Sequence, residues 1–324
     1  MTHPDPQQTD NPTVQVRKLL ERDLTEARMV LQRAFGTFLG ATTPELFMAD
    51  RNYVRSRWLA DPSAALAAVI DGKLVGSNLA ARWGTVGFFG PLTVSPEHWG
   101  ENIATRLLES TMELFSDWQT EHIGLFTFPP SPKHVALYQK FGFWPRYLTA
   151  IMSKVVSAPG QRIAYQRYSA VAEEDRPAVL DACRDLTDAI FAGLDLAREI
   201  RAATRYSLGD TVLIWDGGRI TSFAVCHFGR DTEAGIGSCY VKFGATRTGP
   251  EAKNDFIRLL KACVLFAHTA DLKQVEAGVS MAREEAYREM HALGFRTKIQ
   301  GVCMHSPNTP GYHRSGIFVI DDWR

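Results

Sequence analysis

Two stretches of the chain repeat each other at a fixed distance, and this repeat limits the possible folds more than any other feature. The segment LYQKFGF at 137–143 ends in Gly-Phe, and MHALGF at 290–295 repeats that ending 152 residues later. Upstream, Arg-Leu-Leu at 106–108 recurs at 258–260, again 152 residues later. Two matches at one offset indicate a duplicated unit of about half the chain. The 324 residues have room for roughly two domains, each with its own core.

The chain is expected to divide near its middle. We predict a first domain at 13–156, a linker at 157–162 and a second domain at 163–324. Residues 1–12, rich in Pro, Gln, Asp and Thr, are predicted to form a disordered leader without a signal-peptide core. No apolar run approaches the ~20 residues that a bilayer-spanning helix needs, so no membrane partner is expected.

Charge and cysteine content favour a cytoplasmic protein that does not bind extended nucleic acid. Lys plus Arg and Asp plus Glu each number 36, so the net charge is zero, whereas phosphate neutralisation needs a basic surface. The five cysteines have no CxxC spacing and lie in apolar surroundings. They predict reduced, mostly buried thiols, not disulfides or a zinc site.

Hydrophobic periodicity predicts a mixed α/β arrangement that runs in the same order in both halves. In the first half we predict strands at 14–17, 67–70, 74–80, 86–94, 123–128 and 148–156, and helices at 24–35, 44–59, 103–118 and 133–141. In the second half we predict strands at 163–168, 212–215, 220–226, 238–243, 275–279, 298–304 and 316–320, and helices at 176–191, 196–206, 254–268 and 283–293.

This order of elements, together with LYQKFGF, resembles the GNAT superfamily of acyl-CoA-dependent N-acyltransferases. The resemblance is clear over 14–156 and faint over 163–323. It implies an α/β (α+β) fold of two tandem GNAT-like domains, each a mixed, mostly antiparallel central sheet flanked by helices. It also implies an N-acetyltransferase that uses acetyl-CoA, or another acyl-CoA, as co-substrate and needs no metal. Because all five cysteines follow residue 180, direct transfer in a ternary complex is expected.

The family's phosphate-binding loop corresponds to WGENIA at 99–104, where Ala104 fits the pattern and Trp99 and Asn102 replace the usual Arg and Gly. Free N–H groups and the dipole at a helix N-terminus bind pyrophosphate, and Asn tolerates left-handed φ. An ordinary strand-to-helix connection, with the Trp as packing, is the alternative. The resemblance implies that the cofactor is bound by Leu92, Thr93, Val94, Trp99, Gly100, Asn102, Ala104, Thr105 and Ser131.

Tyr138 is the candidate catalytic residue, because the family commonly places a tyrosine four residues before this glycine, near the thioester sulfur. A phenol of pKa ~10 is a reasonable proton donor to a thiolate whose conjugate acid has pKa ~8.5. A half-buried structural tyrosine is the alternative. No carboxylate lies on the strand at 86–91, so the general base stays unassigned. Nearby candidates are Glu97, His98, His122 and His134.

The second copy is predicted to be non-catalytic. At the offset of 152, Gly100 becomes Ala252, Ala104 becomes Phe256 and Tyr138 becomes Met290. A phenylalanine would block the approach of pyrophosphate, and a methionine has no proton to donate. The segment 305–314 is read as a solvated hairpin loop, with a wall of the acceptor site as the alternative.

Two other functions stay open. A catalytically silent tandem scaffold would bind CoA or a protein partner, and the altered loop favours it. An aminoacyl-tRNA-dependent transferase would also pair two such domains, but zero net charge counts against it. The acceptor is expected to be a small-molecule or peptide amine, and the protein a monomer or homodimer.

Overall fold

The computed structural model describes residues 14–158 and 163–324. The predicted leader at 1–12 lies outside these residues, as do residues 159–162 of the predicted linker. No helix in the described ranges is both long enough and apolar enough to cross a bilayer.

The first half contains seven strands and four α-helices within its described residues. The strands are β1 (Gln15–Lys18), β2 (Ala65–Ile70), β3 (Lys73–Trp83), β4 (Val86–Phe89), β5 (Thr93–Val94), β6 (His122–Thr127) and β7 (Trp144–Val155). The helices are α1 (Leu24–Phe38), α2 (Tyr53–Ala60), α3 (Ile103–Asp117) and α4 (Pro132–Lys140).

The described part of the second half repeats this order. Its strands are β8 (Gln166–Arg167), β9 (Gly209–Asp216), β10 (Arg219–Gly229), β11 (Gly235–Thr246), β12 (Gln274–Ser280), β13 (Arg296–Ser306) and β14 (Val319–Ile320). Its helices are α5 (Arg176–Asp188), α6 (Ala197–Arg205), α7 (Ala252–Thr269) and α8 (Glu284–Ala292).

The prediction of one helix over 44–59 is wrong. The chain makes a short 3₁₀ turn at Pro44–Leu46, and α2 begins only at Tyr53. Met48 has φ +50°, which interrupts a right-handed helix, and the Asn52 side chain then caps the backbone N–H of Arg55 at 2.9 Å. Similarly, the strand predicted at 86–94 divides into β4 and β5, because Gly90 and Pro91 leave the ladder between them.

All strands belong to one mixed sheet, in which the two halves exchange their last long strands. The order is β1-β2-β3-β4-β6-β13-β7-β12-β11-β10-β9-β8, with β5 on β3 and β14 on β11. Strand β13 of the second half therefore lies between β6 and β7, and β7 of the first half lies between β13 and β12. The prediction of a mixed, mostly antiparallel sheet flanked by helices is confirmed, and the sheet is continuous across both halves.

The strand registers follow the same offset as the sequence repeat. Val86 pairs with His122 in parallel, and the residues 152 positions later, Ser238 and Gln274, pair in the same way. The junction obeys the same relation: the pair of residues 153 and 296 maps onto the pair of residues 305 and 144. An approximate two-fold axis therefore passes between β7 and β13, which supports the prediction of a duplication.

Helices cover both faces of the sheet. Helices α1 and α2 pack against one face of β2 and β3, whereas α3 packs against the other. Helices α5 and α6 form a core that includes Trp83 and Phe88 of the first half as well as strands of the second. All five cysteines are free and buried, as the sequence predicted.

Candidate functional site

A groove opens in the first half where two parallel strands part. Strands β4 and β6 pair as far as Phe89 with Leu125. Beyond this point β5 pairs with β3, while β6 pairs only with β13 on its far side. We call the space between β5 and the end of β6 the first groove. Residues 92–94 form one of its edges, and their backbone can pair with an added extended chain.

In the second half, a strand of the chain itself pairs with the equivalent edge. Gly244 and Ala245 lie 152 residues after Leu92 and Thr93, and they pair with Ile320 and Val319 of β14. The corresponding second groove, between β11 and β12, is therefore filled by the chain itself. In the first groove Thr93 is buried, with its hydroxyl 3.1 Å from that of Ser77, whereas Leu92 and Val94 are half-buried.

The loop at one end of the first groove leads to the N-terminus of α3. Asn102 adopts the left-handed conformation expected for it, with φ +58°, and its side chain does not cap the helix. The first N–H groups of α3 therefore point outward without an intrahelical acceptor. A Cβ at Gly100 would meet nothing within 4 Å, and Ala104 and Thr105 are half-buried. The loop thus combines free donors with space for an anion.

Trp99 turns back onto the groove instead of facing the helix terminus. Its side chain is 45% exposed, and its indole N–H donates to the carbonyl oxygen of Val94 at 2.8 Å. This contact fixes the loop against β5. It agrees with the packing alternative for this residue and leaves the indole ring open to a ligand. Ser131, the N-cap residue of α4, is half-buried at the other side of the groove.

Tyr138 lies where the first groove begins. Its ring contacts Phe89, the last residue of β4 to pair with β6, at a centroid distance of 5.8 Å. Burial raises the pKa of the Tyr138 phenol to about 12, and a hydrogen bond with the Thr127 side chain offsets part of this rise. The phenol therefore stays protonated at neutral pH and can donate a hydrogen bond. Its pKa is farther from that of a thiol than the sequence predicted.

The candidate bases lie in different surroundings. Glu97 is exposed and accepts from Ser95 and Arg33, while His98 pairs with Glu101 at 2.9 Å. Within the described residues the buried ring of His122 has no hydrogen-bond partner for Nε2.

His134 is a candidate base that lies one turn before Tyr138 on α4. Burial and the neighbouring Lys133 lower the pKa of His134. The neutral imidazole can therefore accept a proton, although its basicity is reduced.

A strip of aromatic rings begins at the end of β6, the strand that borders the first groove. Alternate residues of β6 and the residue after it, Gly124, Phe126 and Phe128, share one face. The ring of Phe126 lies 5.9 Å from that of Phe128, which lies 6.0 Å from Phe38 at the end of α1. Phe38 is 38% exposed and also contacts His134 at 5.0 Å. Sequence periodicity gave no sign of this strip, because its members belong to different elements.

The second half lacks a comparable cradle. Helix α7 begins at Ala252, three residues before the position equivalent to the start of α3, so helix replaces the loop. Phe256 is fully buried and packs on Phe318 at 5.3 Å. Met290, at the position equivalent to Tyr138, is buried in the same core.

The segment 305–314 is solvated only in part, because residues 307–310 and Arg314 are exposed. His305, Tyr312 and His313 are almost completely buried, and the two imidazoles lie 4.6 Å apart. They pack around Trp323, which stacks on Phe88 of the first half. These three residues are therefore part of the core between the halves. Among residues 14–158 and 163–324, no cluster of three His, Cys, Asp or Glu side chains has the geometry of a metal site.

Sequence reasoning also missed Arg57. Its buried guanidinium, on α2, donates to the carbonyl oxygen of Gly90 at the point where β4 ends. No local pattern marks this residue, because its partners lie 33 or more positions away in the chain.

Comparisons with known proteins identify a family over part of the chain. Residues 29–143 match the model of the acetyltransferase (GNAT) family. No curated protein sequence matches the chain.

Among solved structures, the chain is similar to an acetyltransferase candidate from Pyrococcus horikoshii, with TM-score 0.67 and 12% identity over 98% of this chain and 99% of that one. It is also similar to a GCN5-related N-acetyltransferase from Sphaerobacter thermophilus, with TM-score 0.57 and 17% identity over 90% and 95% of the two chains. A fungal GCN5-related glucosamine N-acetyltransferase region gives TM-score 0.60 and 13% identity over 92% of this chain and 38% of that one. At these identities the likeness concerns the fold. Residues 29–143 are thus a domain of the GNAT acetyltransferase family, and the chain has the GNAT fold over most of its length.

Proposed function

We propose that this protein transfers an acyl group, in the first instance acetyl, from acyl-CoA to an amine, and that the first groove binds the acyl-CoA. One observation carries the proposal: an open strand edge at 92–94 leads directly to the uncapped N-terminus of α3. The strand edge suits the amide groups of a pantetheine arm, and the helix N-terminus suits its pyrophosphate. Leu92, Val94, Gly100 and Asn102 would make these contacts chiefly through their backbones.

The reaction removes one proton from the amine and expels a thiolate. The amine attacks the thioester carbonyl carbon, a C–N bond forms, the C–S bond breaks, and the sulfur leaves as a thiolate. We assign Tyr138 as the hydrogen-bond donor to that sulfur, since it lies at the start of the groove and stays protonated. His134 or water accepts the proton that the amine loses, because β4 carries no carboxylate.

We further propose that the acceptor amine carries an apolar body. The strip of Phe126, Phe128 and Phe38 offers ring surface at the end of β6, and it bears no carboxylate. A polyamine or an aminoglycoside would need acidic side chains to balance its additional charges. A screen that compares arylalkylamines with polyamines tests this preference, and faster turnover of polyamines would contradict it.

The second half is proposed to be non-catalytic. Its strand edge is paired with β14, its loop is helical, and Phe256 is buried beneath Phe318. One bound acyl-CoA per chain is therefore expected.

Titration calorimetry with acetyl-CoA and with CoA tests the proposal. The wild-type chain should bind one equivalent, and Ala104→Phe should lose binding while its circular dichroism spectrum is retained. Glu109→Phe is the matched control, because it adds the same side chain on the exposed side of α3. Retained affinity in Ala104→Phe would show that the loop is wrongly assigned.

A catalytically silent scaffold is the second candidate, and the burial of Tyr138 favours it. Stoichiometric CoA binding without turnover of any amine would support this candidate. Absence of binding at millimolar ligand would remove the CoA site and turn attention to protein partners.

A further inference from the structure

The Arg57 side chain joins the edge of the first groove to the second half. It is 4% exposed and lies over the rings of Tyr53 and Phe88 at 5.6 and 5.5 Å. Nη1 donates to the carbonyl oxygen of Gly90, whose own N–H donates to Leu79 at 2.9 Å. Gly90 is the first residue after β4, so both of its backbone polar groups are fixed just where the groove opens.

The other end of the Arg57 guanidinium is held by residues of the second half. Nη2 lies 3.3 Å from a carboxylate oxygen of Glu233 and also donates to the carbonyl oxygen of Arg324. Glu233 is completely buried, and its second oxygen accepts from Lys242 at 2.7 Å. Lys242 in turn lies 3.2 Å from Glu199.

This buried group carries two positive and two negative side chains, so its charge is balanced within the core. Removal of one member would leave an uncompensated buried charge. The planar guanidinium can also donate to two partners in fixed directions, which a lysine ammonium cannot reproduce. The orientation of Arg57 is therefore set by Glu233, a residue 176 positions away in the chain.

We propose that Arg57 is a positioning residue for acyl-CoA binding and that the second half serves the first groove by orienting Arg57 through Glu233. This inference rests on the proposed function of the first groove. Pairing stops at Phe89 on β4 and resumes at Thr93 on β5, so Gly90 is the anchor between them. When its carbonyl is released, residues 92–94 lose their fixed edge and pair less well with an extended ligand.

The test compares steady-state kinetics and acyl-CoA binding in three variants. Arg57→Lys and Glu233→Gln should each raise KM and Kd for acetyl-CoA by about tenfold or more, the scale of a hydrogen bond to a charged group. The kcat at saturating acetyl-CoA and the KM for the amine should change little. Arg51→Gln is the matched control, because it breaks another ion pair between the halves, with Glu276 at 2.6 Å, without touching Gly90.

A purely structural role would give a different result. It would lower the active fraction, and hence kcat, with an unchanged KM, and Arg51→Gln would behave like the other two variants. The double variant Arg57→Lys/Glu233→Gln should have the KM of Arg57→Lys alone, since Glu233 acts through Arg57. Additive effects of the two substitutions would overturn the proposal.

Hydrogen exchange separates this inference from the proposed function. The amides of Gly90 and of residues 92–94 should exchange at least tenfold faster in Arg57→Lys and Glu233→Gln than in the wild type and in Arg51→Gln. Unchanged exchange overturns the positioning role, even if the wild type binds acetyl-CoA. If the wild type does not bind acetyl-CoA but exchange is faster in the two variants, the proposed function is overturned. The role of Arg57 in fixing Gly90 is then still supported.

Discussion

Acid should destabilise this protein well above the pH at which carboxylates titrate, because several imidazoles are buried without charge. Burial, together with Arg146, lowers the pKa of His122 from near 6.5 to about 4, and burial with His122 and Arg146 lowers that of His305 to about 3. His313 is shifted in the same direction by burial, Arg283 and His305. Asp321, which accepts from the hydroxyl of Tyr312 beside these rings, is paired with Arg283.

The direction and size of this change in stability follow from proton linkage. Below about pH 6.5 the unfolded chain protonates these histidines while the folded chain does not, so the free energy of unfolding falls as the pH falls. Each unmatched proton costs about 1.4 kcal/mol per pH unit. For His122 the window from about 6.5 to about 4 corresponds to about 3 kcal/mol. The three sites interact, so their contributions are not additive.

Urea unfolding of wild type and His122→Gln between about pH 7.5 and pH 5 measures this effect. The glutamine does not titrate, so the pH slope of the variant should be lower by up to about 1.4 kcal/mol per pH unit. His268→Gln removes an exposed imidazole at the end of α7 and is the control. Equal slopes in wild type and His122→Gln would refute the reasoning.

Three further substitutions test single contacts. Tyr138→Phe should lower turnover by about 10²-fold or less, and unchanged turnover from about pH 7 to 9 would remove its role as a donor. Gly124→Ala should lower the unfolding free energy by about 1–3 kcal/mol, because a Cβ there would lie 2.1 Å from the Trp323 ring; an unchanged melting temperature would contradict this packing. Gly278→Ala should lower the unfolding free energy by a similar amount, since its Cβ would lie 2.2 Å from that of Asp322. An unchanged free energy in urea unfolding would show instead that the segment around Asp322 moves to make room.

Much of the local structure followed from the sequence. Hydrophobic patterning predicted strands within β2 and β3, and a 3.6-residue period predicted α3. The motif LYQKFGF identified the family, and Asn102 has the left-handed φ expected of it. These features depend on neighbours within a few turns, so a local pattern is sufficient to predict them. The site residues, the acceptor, the duplication and the cytoplasmic location remain predictions.

Features that depend on residues distant in the chain could not be predicted from the sequence. His305 and His313 lie in a polar stretch of sequence, yet both are buried because Trp323, His122 and β7 surround them. Arg57 has no local signature, since its function depends on Gly90 and Glu233 in distant segments.

The sequence by itself predicted two similar units offset by 152 residues, with an altered loop in each. The tertiary structure decided that β7 and β13 change places and that β14 closes the second groove, whereas no strand of residues 14–158 or 163–324 fills the first groove. The physical reason is that β7 and β13 are close in length and pattern, and each can pair with β6 or β12. Only the closure of the whole sheet and the packing of its two cores select between these pairings.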